Sequence, residues 1–354
     1  MTAMLFLLLG GTAGLPSANS WAQSLDIPIR HAGISFGNSK YFEGIRFNFR
    51  DHDVDKISGI NFTLWRAYDN KQARVQGISI GTLPEAGQLT GLQLGLLGVG
   101  AEKQIQGISL GLLGAGCGGS MTGLAIGGLG VGAGEDLTGI FIGGLGVGSG
   151  GNLTGINIGG LGAGTSGDMI GFNVGFLGVG AGENLTGINF GGLGAGAGKN
   201  LTGISIGGLG VGAAGDVSGC NIALIGAGAG GKLRWLNIAG IGVGCGDEMS
   251  GLTVAGIGTR APSIKGVTLS GLFTIGQEIT GLTIALANLR IDENGSYTGI
   301  AASAFNYIKG EQTGLSLGIV NYSWQLNGVQ IGLINYVRDN PPLLKILPLI
   351  NANF

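Results

Sequence analysis

Residues 153–168 read LTGINIGGLGAGTSGD, and residues 137–152 read LTGIFIGGLGVGSGGN. One phrase is being repeated. Taking the Gly of the TG dipeptide as unit position 1, copies begin at Gly91, Gly107, Gly123, Gly139, Gly155, Gly171, Gly187, Gly203 and Gly219, then at Trp235 and Gly251, a spacing of 16 without a slip. Looser copies begin upstream at Gly44, Gly59 and Gly77, and downstream at Gly266, Gly281, Gly299, Gly314 and Gly328. A fixed period of this size is the signature of a repeat architecture.

Within a unit, Gly155 to Gly159 alternates apolar with small or polar residues, and Leu161 to Gly164 alternates again with the phase shifted by one. Period-two alternation predicts strand. The phase shift at Gly159-Gly160 marks a corner or bulge, and Thr165 to Asp168 is a polar turn. Charge obeys the same division. In the strict block every charged residue falls at unit positions 12 to 14, from Glu102 and Lys103 to Asp247 and Glu248, except Arg234. One edge of the repeat therefore meets water.

Two all-β architectures use such a pattern. The expected fold is a β-solenoid with 16-residue coils; the alternative is an antiparallel outer-membrane β-barrel with one strand per repeat. A barrel alternates short turns with long loops and should show a 32-residue super-period, whereas the turns AGED, SGGN, TSGD, AGEN and AGKN look interchangeable. In favour of the barrel, position 9 alternates Val147, Ala163, Val179, Ala195, Val211, Ala227, and the chain ends in Phe354. In the solenoid, Leu161 and Ala163 are expected to face inward against Ile156 and Ile158, leaving the Gly rows as a flat outer sheet and Asn157, Asn173 and Asn189 as an amide ladder on the outside. Position 1 accepts Trp235, so its glycine reads as tolerated. Positions 8 and 10 are Gly in ten copies, from Gly98 and Gly100 to Gly242 and Gly244, and read as required.

Gly supplies 79 of 354 residues, about three times its ordinary share. Charged residues are 11% and hydrophobic residues 44%, a balance opposite to that of disorder. There is no Gly-X-Y period, which excludes collagen. A net charge of −2 gives no electrostatic case for nucleic acid. Met4 to Gly11 is an apolar stretch and Ser20-Trp21-Ala22 precedes Gln23 with small residues in the right places, so residues 1–22 read as a signal peptide. Residues 23–90 form an N-terminal cap with irregular repeats, 91–258 the strict repeats, 259–340 divergent repeats and 341–354 a C-terminal tail. The polar stretches RFNFRDHDVDK and LWRAYDNKQAR, and Asn340-Pro341-Pro342 at the other end, suit the capping that an exposed strand edge needs.

Catalytic, cofactor and metal sites are expected to be absent. The nearest approach to a phosphate loop, Gly226 to Lys232, is followed by Leu233 where Ser or Thr is needed. Asp136, Asp168, Asp216 and Glu248 share unit position 14, which suggests a calcium column, but Asn152, Asn184, Asn200 and Lys232 share it too, as a solvated turn would. His31 and His52 lie in the cap without a Cys partner, and Ser120, Ser149 and Ser166 have no His in the repeat block to act as base. Cys117 and Cys245 take position 11 and Cys220 position 2, which reads as three buried free thiols, the first two eight coils apart and far outside disulfide range.

The phrases GLSLGIVNY (residues 314–322) and GVQIGLINYV (residues 328–337), together with the central block, resemble a family of bacterial surface-repeat proteins that carry many GLQIGLxN-type units after a signal peptide. The resemblance covers most of residues 33–337. It implies export and placement at the cell surface or outer membrane, and brings no catalytic residues. The Gly-saturated middle block departs from that pattern. The function expected is that of a non-enzymatic exported structural or interaction protein presenting a long repetitive β surface to a surface or protein partner. No nucleic acid or small-molecule substrate is expected, and an outer-membrane barrel acting as a pore is the alternative.

Overall fold

The computed structural model describes residues 24–29 and 32–354. The signal peptide read at 1–22, and His31, lie outside the described residues.

Each strict unit makes one coil of two strands. In the unit quoted first these are Leu153–Gly159 and Gly162–Thr165. Leu153–Gly159 lies between Leu137–Gly143 and Met169–Gly175, parallel to both and in register at one period. Gly162–Thr165 lies in the same way between Gly146–Ser149 and Gly178–Ala181. Every strand thus pairs with its own equivalent in the next coil. The chain is a β-solenoid of about 18 turns. This overturns the antiparallel barrel, in which each strand would pair with the one before it in sequence. Coils of paired strands stack about 4.8 Å apart, which makes the strict block roughly 50 Å long.

Gly155 bends the longer strand. Its φ is 122°, and a Cβ placed on it would be driven into the carbonyl oxygen of Gly139 in the coil below. The whole column shares this conformation, with φ of 102–147° at every glycine from Gly44 to Gly328, irregular copies included. The reading of position 1 as merely tolerated is therefore wrong. Trp235 does not show that glycine is dispensable, because it too is held at positive φ, 81°.

Parity along the bent strand decides the core. Leu153 and Asn157 point inward at 0% exposure, which leaves Ile156 between them outside at 40%. Each coil points inward a large aliphatic residue at position 15, a polar or small one at position 3, except for Phe141, and Ala or Val at position 9. The expected inward set is corrected for Leu161, Ile156 and Ile158, which face out, and holds for Ala163. The Asn ladder moves from outside to inside: Asn157 Nδ2 donates to Asn173 Oδ1 at 2.8 Å, and Asn173 Nδ2 to Asn189 Oδ1 at 2.8 Å, all fully buried. The alternation of Val and Ala at position 9 is core packing, bulky over small between neighbouring coils.

Both ends close with antiparallel strands. Ser24–Ile29 folds back on Ala32–Gly37, and Ile346–Asn353 folds back on Val320–Val337. Pro341 and Pro342 open a short 3-10 turn, Pro342–Leu344, that reverses the chain. In the first coils the inner column carries charge: Arg46, fully buried, donates to Asp51 Oδ1 at 2.6 Å, Asn61 Oδ1 at 2.9 Å and Asn38 Oδ1 at 2.8 Å. Nothing in the repeat pattern announces this cluster, because Arg46 occupies the column that holds Ser35 and Asn61 in the neighbouring coils.

Candidate interaction surface

With Leu153, Asn157 and Ala163 turned inward, the residues between them form the outer surface. Position 2 is Ile108, Ile140, Ile156 and Phe172 in successive parts of the block, and position 4 is Ile126, Ile158 and Phe190. Position 7, at the corner, is a row from Leu97 to Ile257, each 40–51% exposed. No charged residue occupies these three positions anywhere in the strict block. The rows run parallel to the solenoid axis because parallel pairing in register places equivalents directly above one another. Beyond the corner, the short strands turn the glycines of positions 8 and 10 outward and leave that strip bare of side chains.

The polar edge has its own order. Asp136 Oδ1 accepts from the Asn152 N–H at 2.7 Å, Asn152 Oδ1 from Asp168 N–H at 3.0 Å, and Asp168 Oδ1 from Asn184 N–H at 3.0 Å. The same link recurs from Asn200 to Asp216 and from Asp216 to Lys232. From Asp136 to Asp216 the position-14 column is thus a turn ladder in which each side chain ties down the next coil. An amide oxygen serves as well as a carboxylate, which explains why Asn and Asp interchange. The bonds from the Asn184 backbone and side-chain amides hold the Asp168 carboxyl below the usual carboxylate range. Lys199 pairs with Glu183 at 2.9 Å and Arg234 with Asp216 at 3.4 Å along the same edge.

The remaining sequence candidates are dispersed. Gly226–Ala229 is a short strand and Leu233–Ala239 the next strand, so no helix follows the glycines to receive a phosphate. His52 Nδ1 lies 3.0 Å from the Tyr68 carbonyl, with the two rings tilted against each other. Ser120 donates to Glu135 at 3.0 Å, and Ser149 to the Asn152 carbonyl at 3.0 Å. All three cysteines are free. Cys117 is buried; Cys245, packed against the core, and Cys220, in the outward row at position 2, are only half-buried, and desolvation raises the thiol pKa of Cys117 and of Cys245. The expected burial of Cys220 and Cys245 is corrected accordingly. Among the described residues no three His, Cys, Asp or Glu side chains gather as a metal site, and no helix is long and apolar enough to cross a membrane.

The feature that sequence reasoning missed is the apolar outer face itself. Ile at positions 2 and 4 looks like core until the inward parity of Leu153 is known. No family model, no curated protein and no solved structure matches the chain.

Proposed function

We propose that the protein is a non-enzymatic, exported structural or interaction protein whose work is done by its long repetitive β surface. The observation that carries this reading is the unbroken run of apolar rows at positions 2, 4 and 7. Taken as roughly 50 Å of stacked coils by about 20 Å of strand and corner, the face covers about 1,000 Å², well above the few hundred Å² of the largest apolar patch on an ordinary monomer. Such a face answers to a partner as extended as itself. The apolar leader at residues 4–11 and the likeness of the repeats to bacterial surface-repeat proteins support export to the cell surface or outer membrane. A pore is not proposed, since it required the barrel.

The test is a set of in-frame deletions, each removing one whole coil, for example residues 155–170, expressed with the native N-terminus in a bacterium with an outer membrane. Coils contact only their neighbours, so the join restores the same contacts. The expected result is that each shortened protein keeps its β circular dichroism spectrum and is digested by protease added to intact cells. Retention of the wild-type chain in the cytosol would overturn the proposal. So would loss of surface protein on removal of one particular coil and no other, because that pattern belongs to a point site.

A further inference from the structure

The outward rows suggest what covers part of this face. The Leu row at position 7 forms a ridge along the corner, and the bare strip of positions 8 and 10 lies directly beside it as a shelf of the same length. The shelf is open. A Cβ added at Gly164 would meet nothing nearer than 3.8 Å, at Gly148 nothing nearer than 3.6 Å, and at Gly116 nothing within 4 Å. None of these glycines is among those at positive φ. These coils therefore have no need of glycine at position 10, although glycine in a strand interior weakens it relative to alanine.

Resting on the proposed function above, we propose that this ridge and shelf join two copies of the chain. The copies lie side by side, related by a two-fold axis along the solenoid, and the Leu ridge of each packs on the glycine shelf of the other. A two-fold axis in that direction keeps the coils of both copies level. It also brings a ridge at one edge of each shelf over the far edge of its partner's, so the contact is isologous and closed. Only a partner with the same coil rise stays in step with the ridge over ten coils, and a second copy has that rise by construction. Area agrees: ridge and shelf together, about 50 Å by 15–20 Å, offer close to the 800 Å² per partner of a standard stable interface. Charge speaks against a lipid surface as the occupant. The neighbouring turn edge carries Glu102, Glu135, Asp136, Asp168, Asp247 and Glu248 against few lysines, and the strict block has no Tyr and one Trp. Anionic lipid calls for a basic flank, and a bilayer interface favours Trp and Tyr.

The experiment is sedimentation equilibrium of the full chain beside two triple variants, with circular dichroism on each. One is Leu145→Glu, Leu161→Glu, Leu177→Glu, which places carboxylates along the ridge. The other is Gly148→Val, Gly164→Val, Gly180→Val, which fills the shelf. The wild type is expected to sediment at twice the chain mass. Both variants are expected to associate about a hundredfold more weakly or worse, as an unpaired charge or a steric block at a desolvated contact requires. The Val triple should melt no lower than wild type, since its side chains have room and favour strands. If the Glu triple does not fold, the Val triple decides. A monomeric wild type overturns the proposal, and one that then floats with phosphatidylcholine vesicles assigns the face to lipid. A folded Val triple that still dimerises overturns it, and so does a Val triple that unfolds, because glycine would then be required by the coil. Surface digestion of intact cells reports on export separately, so the two proposals fail by different measurements.

Discussion

Trp235 stands at φ 81° in a column otherwise filled by glycine, with its side chain 73% exposed. A bulky residue persists in that conformation only because the strands above and below fix the backbone through their ladders. Two glycines of one coil should therefore respond in opposite ways to the same change. Gly155→Ala forces a side chain to positive φ and into the Gly139 carbonyl, and is expected to lower stability by about 1–3 kcal/mol from backbone strain alone. Gly164→Ala meets open space and is expected to leave stability unchanged or raise it by about 0.5–1 kcal/mol. Guanidinium denaturation of both variants checks this, and equal losses would refute it. Sequence reading ranked these positions the other way. It counted substitutions, and Trp235 is a substitution; what it lacked was the sign of φ, which depends on where the strand bends and leaves no trace in composition.

The strands and turns of a coil are tied to the next coil by side chains as well as by backbone. Inside, the Asn157–Asn173–Asn189 ladder satisfies buried amides against one another, and its upper end, Asn157 Oδ1, faces Phe141 without a partner. Outside, the position-14 ladder does the same for the turns. Because folding lowers the pKa of Asp168, the stability it contributes is present above the ordinary carboxylate value, near 3.9, and is lost as pH falls through the folded value. Asp168→Asn should then match wild type at neutral pH, since Asn152 and Asn184 already show that an amide oxygen accepts the same bond. Between about pH 4 and pH 2 the variant should lose stability less steeply, by a small margin because the carboxylate is well solvated. Thermal melts across that range test it; identical pH profiles would show the ladder is indifferent to charge. The strands, their period and the polar turns were legible from alternation and from where the charges fall. Which face turns inward was not. Ile156 and Asn157 exchange places if parity shifts by one, and hydropathy argues for the wrong choice, because this core includes amides that only the stacking of identical coils can satisfy.

For the molecule as a whole, a stack of parallel coils has two open edges, and each is closed by a strand running the other way. Removing residues 341–354 would uncover Val320–Val337, a long edge with free backbone donors and acceptors. That truncated chain is expected to aggregate or add end to end, seen as rising light scattering at concentrations where the full chain stays clear; unchanged solubility would show that the returning strand is not needed as a cap. The prolines at 341 and 342 signalled an ending in the sequence, but the reversal that follows them depends on contacts with the last coil that no local pattern encodes. Between these caps the coils are interchangeable, and this bears on inheritance. Neighbouring repeats nearly identical in protein invite misaligned recombination in the gene that encodes them, and each such exchange adds or drops a whole coil. The product differs in reach by one strand spacing, about 4.8 Å, while both ends keep their chemistry. Reach in such a protein is a copy number, open to adjustment in uniform steps without the invention of any new residue.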